Sequence, residues 1–320
     1  MTLMKTAYEL KDTTHLIQQF TIKSKNKDRI VNNPIPTLKE CLKDTNKILT
    51  QKYIELLKFY NIDSIAQAYL PNKSIKTNAE IHKFSKSVIK FDFSHFYDDV
   101  KYEYFEKYIK ELVDNDPNFN YNKALIKRLI IDPNTNGVTQ GLPVSGVLAG
   151  IALIPFWIEL KKLTPSNIIF TQYSDDLIFS YQGKFEPKSF TISNLTQLIN
   201  KAMIQSNRKF TLNTKKTCKQ SNQFRKITGV RINTNNQATP SRKDYRWFRL
   251  IAHKLSTGST LEEILEHYNL ESKSAFVGKI SYLKSIDDTG KINKIIQKYA
   301  NAFIKHDLFK TWIYKENPFA

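Results

Sequence analysis

Hydrophobic positions recur along the chain at two different spacings, which predict helices in some segments and strands in others. The longest apolar stretch, Gly146 to Ile158, is too short to span a bilayer and predicts a buried helix. The helix that begins near residue 36 is expected to be capped near Thr37. Helical spacing is found over 36–60, 101–113, 122–131 and 192–206, and from 241 to the end with breaks near 257–258 and 288–290.

Shorter apolar runs predict strands at 87–93 and 226–233. A third region, Ile168 to Tyr181, has two apolar arms around the polar tetrad Tyr173-Ser174-Asp175-Asp176. This order is typical of an antiparallel hairpin that carries the tetrad at its tip.

The composition is that of a folded protein with a strongly basic surface. With 320 residues, 41% of them hydrophobic, the chain can form one large domain or two to three compact lobes. Its formal net charge of +19 favours a polyanionic partner, nucleic acid first and an anionic membrane surface second. The short apolar stretches argue against the membrane. Two scattered cysteines, Cys41 and Cys218, indicate a reducing, cytosolic protein without a disulfide framework.

The basic residues are unevenly distributed. From Pro187 to Lys243 there is no Asp or Glu, whereas Lys and Arg recur throughout. A solvated surface normally mixes both signs of charge, so this stretch favours contact with a phosphate backbone. The alternative is an ordinary basic surface.

Three aspartates lie where predicted strands end. Two-metal phosphoryl transfer needs carboxylates from separate segments to hold two Mg²⁺ ions about 3.5–4 Å apart. Asp92 and the hairpin pair Asp175-Asp176 offer such a set. The pairs Asp98-Asp99 and Asp287-Asp288 lie beside helices and are expected to be solvated. From spacing alone, Asp175-Asp176 is either catalytic or an ordinary surface pair.

Five short segments follow one another in a fixed order: Phe91 to Tyr97, Thr139 to Ser145, Tyr173 to Asp176, Leu212 to Thr217, and Lys226 to Val230. The first four resemble motifs A, B, C and D of reverse transcriptases, and the fifth follows as in that family. Each segment alone is a weak match. All five in this order and spacing are a strong one.

Further elements narrow the resemblance to the retron-type bacterial enzymes. Asn78-Ala79-Glu80-Ile81-His82 and Ile227-Thr228-Gly229 are similar to two elements of retron reverse transcriptases. Arg29 to Pro34 resembles their fingers segment, and Arg242-Lys243 with Gly278 to Leu283 resembles their thumb. The resemblance covers about residues 23–305.

Some positions depart from the retron pattern. Leu142, Val144 and Gly146 replace Ala, Thr and Pro of the usual motif B loop, and Ser174 replaces Ala in motif C. These changes leave the carboxylates and Ser145 in place. They bear on the subtype, so phage-defence reverse transcriptases outside the retrons remain an alternative.

The resemblance implies an α+β fold, namely a right-hand polymerase with fingers, an antiparallel-sheet palm backed by helices, and a helical thumb. Fingers are expected at 1–85, the palm at 86–240 with fingers-side helices at about 101–138, and the thumb at 241–320. It also implies two Mg²⁺ ions, with Mn²⁺ as a substitute. Lys216 is expected to protonate or steer the leaving pyrophosphate, although Lys215 is an equally reachable cation. The metal ligands implied are Asp92, Phe93, Asp175 and Asp176, of which the three aspartates are also catalytic.

The same resemblance implies a dNTP site. Arg29 is expected to touch the triphosphate and Phe93 to contribute to substrate binding. Tyr97 would lie beneath the sugar as a steric gate against a 2′-OH, unless it is only a core aromatic. The loop of Gln140, Gly141 and Ser145 would approach the templating base pair, unless it is an ordinary helix entry.

The function implied is RNA-directed synthesis of single-stranded DNA (msDNA) on a structured noncoding RNA, in anti-phage defence. Priming would use an internal guanosine 2′-OH. The partners implied are that RNA, the RNA–DNA product, dNTPs and a defence effector protein, with no membrane. Two alternatives stay open, namely untemplated or protein-primed synthesis of the abortive-infection kind and a catalytically silent RNA-binding scaffold. His82 either binds a specific RNA or packs in the fingers. Trp247, Phe248 and Tyr282 could stack on bases or sugars, but aromatic residues at helical spacing are more often part of the core.

Overall fold

The computed structural model describes residues 3–10, 16–22, 29–114, 120–181, 183, 186–221 and 225–316. The helices are α1 (Leu3–Glu9), α2 (Pro36–Phe59), α3 (Ile75–Ile81), α4 (Phe96–Asp99), α5 (Glu106–Asp114), α6 (Lys123–Ile130), α7 (Ser145–Leu163), α8 (Ile192–Gln205), α9 (Arg242–Ser256), α10 (Leu261–His267), α11 (Lys273–Ser285), α12 (Lys291–Lys298), α13 (Ala300–Lys305) and α14 (Lys310–Glu316). The strands are β1 (Ile17–Ile22), β2 (Arg29–Pro34), β3 (Ser87–Ser94), β4 (Ile168–Tyr173), β5 (Asp176–Tyr181), β6 (Thr211–Leu212), β7 (Cys218–Ser221), β8 (Arg225–Ile227), β9 (Val230–Ile232) and β10 (Ala238–Thr239). Within these ranges, every helix is too short or too polar to cross a bilayer.

The chain divides into two compact units, each made of two chain segments. The first unit comprises 1–74 and 85–219, and the second comprises 75–84 and 220–320. Helix α3 therefore groups with the C-terminal part of the chain. The assignment of fingers, palm and thumb to 1–85, 86–240 and 241–320 stays a prediction.

The central sheet of the first unit has the strand order β4-β5-β3-β6, and its neighbours are antiparallel. Strand β3 is buried along most of its length, which its apolar sequence Ser-Val-Ile-Lys-Phe-Asp-Phe explains. The register pairs Asp92 of β3 with Asp176 of β5. The predicted hairpin at 168–181 and the α+β class are both confirmed.

Helix α7 forms the centre of the first unit's core. It is apolar on all sides and almost entirely buried, as its composition predicts. A Cβ atom at Gly150 would lie 2.5 Å from the Tyr53 hydroxyl oxygen, so glycine is needed where α2 and α7 pack together. The prediction of a buried helix after Gly146 is confirmed.

Three local predictions were wrong. Residues 226–233 form a hairpin rather than one strand, because Thr228 and Gly229 turn the chain with φ values of 44° and 89°. The helix predicted at 101–113 is a 3₁₀ turn at Tyr102–Tyr104 followed by α5. Helix α2 begins at Pro36 with Ile35 as its N-cap, since the fixed φ of proline suits the first helical position.

The second unit combines a small sheet with a helical core. Strands β8, β9 and β10 form an antiparallel sheet, and α9 to α14 surround a cluster of aromatic rings. Phe248 is fully buried in that cluster, as expected, whereas Tyr282 is 41% exposed. Trp247 is partly buried, and the Lys279 ammonium lies 3.8 Å from its ring centroid. Capping boxes at Ser241 and Thr260 begin α9 and α10.

Helix α3 packs on this small sheet and brings two retron-like elements together. The Asn78 side chain donates to Thr228 Oγ1 at 3.2 Å, and Thr228 Oγ1 donates to the Ile75 carbonyl at 3.4 Å. One residue beyond the helix, the ring of His82 is fully buried, and burial lowers its pKa to about 3. His82 is therefore a neutral packing residue, and the alternative in which it reads RNA from the surface is not supported.

The buried His82 predicts acid sensitivity of folding. Because its pKa is about 3 when folded and about 6.5 when unfolded, the unfolded state binds the extra proton between these values. Stability should therefore fall as the pH drops below 6.5, by about 2 kcal/mol between pH 7 and pH 5. Urea unfolding of the wild-type protein and of His82→Gln at both pH values measures this, and an equal loss in both proteins would contradict it.

Candidate active site

The tip of the β4–β5 hairpin is held in a tight turn against strand β3. Tyr173 pairs with Asp176, and between them Ser174 adopts a left-handed conformation with φ of 56°. The Phe93 N–H donates to the Asp175 carbonyl at 2.9 Å, which ties the turn to the end of β3. The backbone thus fixes both aspartates of the turn beside Asp92.

These contacts bring the three predicted aspartates together. One carboxylate oxygen from each of Asp92, Asp175 and Asp176 lies within 4.8 Å of the other two. Asp92 is 3% exposed, and the other two are partly buried. We call this group the carboxylate cluster. The sequence predicted its members and their convergence.

Two lysines partly balance the charge of the carboxylate cluster, and an asparagine donates a hydrogen bond to it. Lys216 Nζ lies 3.0 Å from Asp92 Oδ1, and the Asn213 side chain donates to Asp92 Oδ2 at 3.1 Å. Lys90 Nζ lies 2.7 Å from Asp176 Oδ1. Burial raises the pKa of Asp176, and the hydrogen bond from Lys90 offsets part of this rise. The hydrogen bond to Asp92 raises the pKa of Lys216.

The carboxylate cluster suits a hard divalent cation. Carboxylates from separate chain segments are the ligands that Mg²⁺ takes in phosphoryl-transfer sites, and the two lysines offset only part of the charge of three carboxylates. The Phe93 ring is buried against Phe96, Phe156 and Phe210. Any contribution of Phe93 to metal or substrate binding must therefore come from its backbone.

Tyr97 lies in the short helix α4, just after β3 ends. The chain turns sharply at His95, whose φ is 51°, so that Tyr97 projects from the first turn of α4. Its hydroxyl oxygen is 2.7 Å from that of Tyr69. Burial is the main cause that raises the pKa of Tyr97, so its hydroxyl stays protonated.

The loop of motif B enters α7 in an ordered conformation. Gly141 has φ of +100°, and a Cβ atom there would lie 3.0 Å from the Asn32 carbonyl oxygen. The Asn32 side chain donates to the Gln140 carbonyl at 2.7 Å. The buried Ser145 hydroxyl donates to the Thr139 carbonyl at 2.6 Å. Arg29 begins β2, but its side chain lies outside the described part of the structure.

The comparisons with known proteins agree with this geometry. The family model for reverse transcriptase (RNA-dependent DNA polymerase) matches residues 23–232, about two thirds of the chain. The chain belongs to the reverse transcriptase family. The carboxylate cluster, the motif B loop and Tyr97 all fall within the matched segment of this RNA-directed DNA polymerase.

Two curated relatives support the retron type. Retron Ec83 reverse transcriptase of Escherichia coli is 26% identical over 87% of this chain and 84% of its own length. Retron Ec73 reverse transcriptase of the same organism is 26% identical over 69% of this chain and 70% of its own. The prediction of a retron-type reverse transcriptase is confirmed.

A solved telomerase is also similar, at a lower level. Telomerase from Candida albicans is 13% identical, with a TM-score of 0.48. The match covers 93% of this chain and 63% of the telomerase chain.

Several partners of the reverse transcriptase's predicted site residues were missed from the sequence, among them Lys90 and Tyr69. Lys90 precedes Asp92 by two positions in strand β3. Side chains two positions apart lie on the same face of a strand, so the strand period could have indicated that Lys90 lies near the cluster. Tyr69 lies in the segment between α2 and α3, outside every motif. Its contact with Tyr97 joins positions 28 residues apart, which no local pattern predicts.

Each of the other two aspartate pairs makes contacts that support the fold. Asp99 Oδ2 accepts from the Thr211 N–H at 3.1 Å. Asp287 accepts from the Tyr245 hydroxyl at 2.6 Å, and Asp288 pairs with Lys76 at 2.7 Å. Asp288 is exposed, whereas Asp98, Asp99 and Asp287 are only partly so, and the expectation of solvated pairs therefore holds in part.

The basic stretch from Pro187 to Lys243, which contains no Asp or Glu, serves two purposes in the reverse transcriptase. Arg208 donates to the Ala152 carbonyl and lies over the Tyr104 ring at 4.2 Å, and the buried Arg225 donates to the Lys83 carbonyl. These arginines hold the fold. Other cations of the stretch are exposed and free to meet solvent or phosphate, including Lys188, Lys201, Lys209, Lys215 and Lys226.

Proposed function

We propose that the reverse transcriptase extends a primer hydroxyl with dNTPs at the carboxylate cluster. The observation that carries this proposal is the convergence of Asp92, Asp175 and Asp176 from two chain segments to within 4.8 Å. Two Mg²⁺ ions, for which Mn²⁺ can substitute, would supply activation of the attacking hydroxyl and stabilisation of the leaving group when bound to these residues and to the Phe93 backbone. The fingers, palm and thumb boundaries and a cytosolic location belong to the same proposal.

Lys216 is suited to the leaving pyrophosphate. Its ammonium lies at the rim of the carboxylate cluster, with its side chain 62% exposed and 3.0 Å from Asp92. Because the hydrogen bond to Asp92 raises its pKa, the side chain keeps its proton near neutral pH. It can therefore offer a positive charge and a proton to the pyrophosphate. The contact with Asp92 favours Lys216 over the exposed Lys215 for this role.

Sugar selection is assigned to Tyr97. Its ring lies two positions after the turn at His95 that ends β3, close to the carboxylate cluster in the chain and in the fold. A bulky ring beneath C2′ of the incoming nucleotide would leave no room for a 2′-OH. The motif B loop of Gln140, Gly141 and Ser145 would contact the templating pair, and Arg29 the triphosphate.

The template is proposed to be a structured noncoding RNA, copied into single-stranded DNA in anti-phage defence. Support comes from the two relatives named retron reverse transcriptases and from the net charge of +19. Exposed cations grip any phosphate backbone, so recognition of one RNA must use its shape and its unpaired bases. A defence effector protein completes the proposed set of partners.

Cells that express the protein with its native flanking DNA are expected to accumulate a short single-stranded DNA of one length. RNase should leave a small RNA remnant at its 5′ end, which a 2′–5′ debranching enzyme removes, because priming is proposed to use an internal guanosine 2′-OH. The Asp175→Asn protein, expressed to the same level, is the control and should yield no such DNA. Product length and linkage are read by gel electrophoresis and sequencing.

The alternatives give different products in the same experiment. DNA of mixed length, or DNA linked to a Tyr or Ser of the protein, would contradict the retron mode and favour untemplated or protein-primed synthesis. RNA that copurifies with the protein in the absence of any DNA product would favour the catalytically silent scaffold.

A further inference from the structure

Three hydroxyl groups of the first unit form a chain beside the carboxylate cluster. The Tyr69 hydroxyl donates to Ser174 Oγ at 2.6 Å, and its oxygen lies 2.7 Å from the Tyr97 hydroxyl. A tyrosine has one O–H proton, so when Tyr69 donates to Ser174 it must accept from Tyr97. Tyr69 thus joins the proposed steric gate to the hairpin tip that carries the catalytic aspartates.

The position of Tyr69 is itself tightly fixed. Its backbone adopts a left-handed conformation with φ of 61°. Its ring lies against Gly146 in the first turn of α7, where a Cβ atom would lie 2.6 Å from Tyr69 Cγ. Only glycine at 146 leaves room for the ring, so the departure at this position from the proline of the retron pattern suits the packing of Tyr69.

The hairpin tip is held from its other side as well. The buried Gln172 side chain donates to the Ser174 carbonyl at 3.0 Å and accepts from the Trp157 indole N–H at 2.7 Å. Ser174 is therefore fixed at its backbone by Gln172 and at its side chain by Tyr69. A hydroxyl anchored at so rigid a point can in turn restrain a neighbouring ring.

We propose that Tyr69 is a positioning residue for sugar selection, whose hydroxyl holds the Tyr97 ring in the orientation that excludes a 2′-OH. The inference rests on the proposed function, in which Tyr97 is the gate. Without the Tyr69 hydroxyl, the Tyr97 hydroxyl loses one of its two partners and keeps only its contact with Ser174, so the ring can tilt to admit a ribonucleotide. The loss of one neutral hydrogen bond corresponds to roughly a three- to tenfold change in discrimination.

The Tyr69→Phe variant tests this, because it keeps the ring on Gly146 and removes only the hydroxyl. Single-nucleotide extension of a DNA primer on a synthetic RNA template gives kcat and KM for a dNTP and for the matching rNTP. We expect kcat for the dNTP to stay within about twofold, and the rNTP-to-dNTP ratio of kcat/KM to rise roughly three- to tenfold, mainly through a lower KM for the rNTP.

Tyr53→Phe is the matched control. It removes a buried tyrosine hydroxyl that lines the same small cavity as Tyr69 and Ser174. The sugar ratio should not change in this variant. In a double-mutant cycle, Tyr69→Phe and Ser174→Ala should change the ratio by less than the sum of their separate effects, because both side chains belong to one hydrogen-bonded group with Tyr97.

Tyr97→Val separates failure of this inference from failure of the proposed gate. If Tyr97→Val relaxes sugar selection and Tyr69→Phe does not, the role of Tyr69 is overturned and the gate stands. If neither variant changes the rNTP-to-dNTP ratio, the role of Tyr69 and the gate role of Tyr97 are both overturned. An equal loss of dNTP and rNTP incorporation in Tyr69→Phe would mean that the hydroxyl is only structural, which also overturns the inference.

Discussion

DNA synthesis is expected to fall by roughly a thousandfold or more when Asp92 or Asp175 is replaced by asparagine. Asparagine has nearly the same shape as aspartate but no negative charge, so it cannot serve as an anionic ligand for a divalent cation. Asp92→Asn also breaks the ion pair with Lys216. Folding should be almost unchanged, because the hairpin and β3 are held by backbone hydrogen bonds that neither substitution touches.

Primer extension measures the activity, circular dichroism the fold, and a gel-shift titration the binding of RNA. Asp44→Asn is the matched control, since it makes the same chemical change on the exposed face of α2, where Asp44 pairs with Lys47. The control should extend primers at the wild-type rate. Wild-type extension by Asp175→Asn would remove that residue from the catalytic role, and a loss of RNA binding would mean that the fold had been disturbed.

The substitution Gly137→Ala is expected to lower the free energy of unfolding by roughly 3 kcal/mol. A Cβ atom at this position would lie 2.5 Å from Asp98 Cα, which is backbone and cannot move aside alone. The two segments would have to separate, and the hydrogen bond from the Val138 N–H to the Val100 carbonyl would be lost. Because Asp98 follows Tyr97 directly, helix α4 would be displaced as well.

The same substitution at Gly278 should raise the free energy of unfolding instead of lowering it. Gly278 lies on the exposed side of α11, and a Cβ atom there would have no neighbour within 4 Å. Gly278→Ala should therefore stabilise its helix by about 0.5–1 kcal/mol, since alanine loses less backbone entropy than glycine. Urea unfolding of both variants measures the two effects. A shift of the same sign in both would contradict the steric explanation for Gly137.

The sequence predicted the elements whose patterns are local. The β4–β5 hairpin has apolar arms on both sides of a polar tip, and α7 is apolar on every side, so neither has an alternative conformation that buries as much. The convergence of Asp92 with Asp175 and Asp176 followed from the same hairpin once its family was recognised.

The features that the sequence did not predict are those in which a single residue or a contact between distant residues determines the structure. The turn at Thr228-Gly229 interrupts a run that otherwise has strand spacing, and only the backbone freedom of Gly229 could have indicated it. Tyr69 and Gln172 act through partners distant in the chain, which periodicity cannot specify. For His82 the sequence left RNA binding and packing open, and its burial, which depends on tertiary packing, favours packing.

The two-segment composition of the second unit affects how chimaeric enzymes should be assembled. Helix α3 and residue 82 pack with β8 to β10, so Asn78 and Thr228 must match each other although 150 positions separate them. A graft that exchanges only the C-terminal segment between two such enzymes would join a foreign sheet to the resident α3. Grafts that carry 75–84 together with 220–320 keep this pairing, and they are the natural exchangeable cassette between two such enzymes.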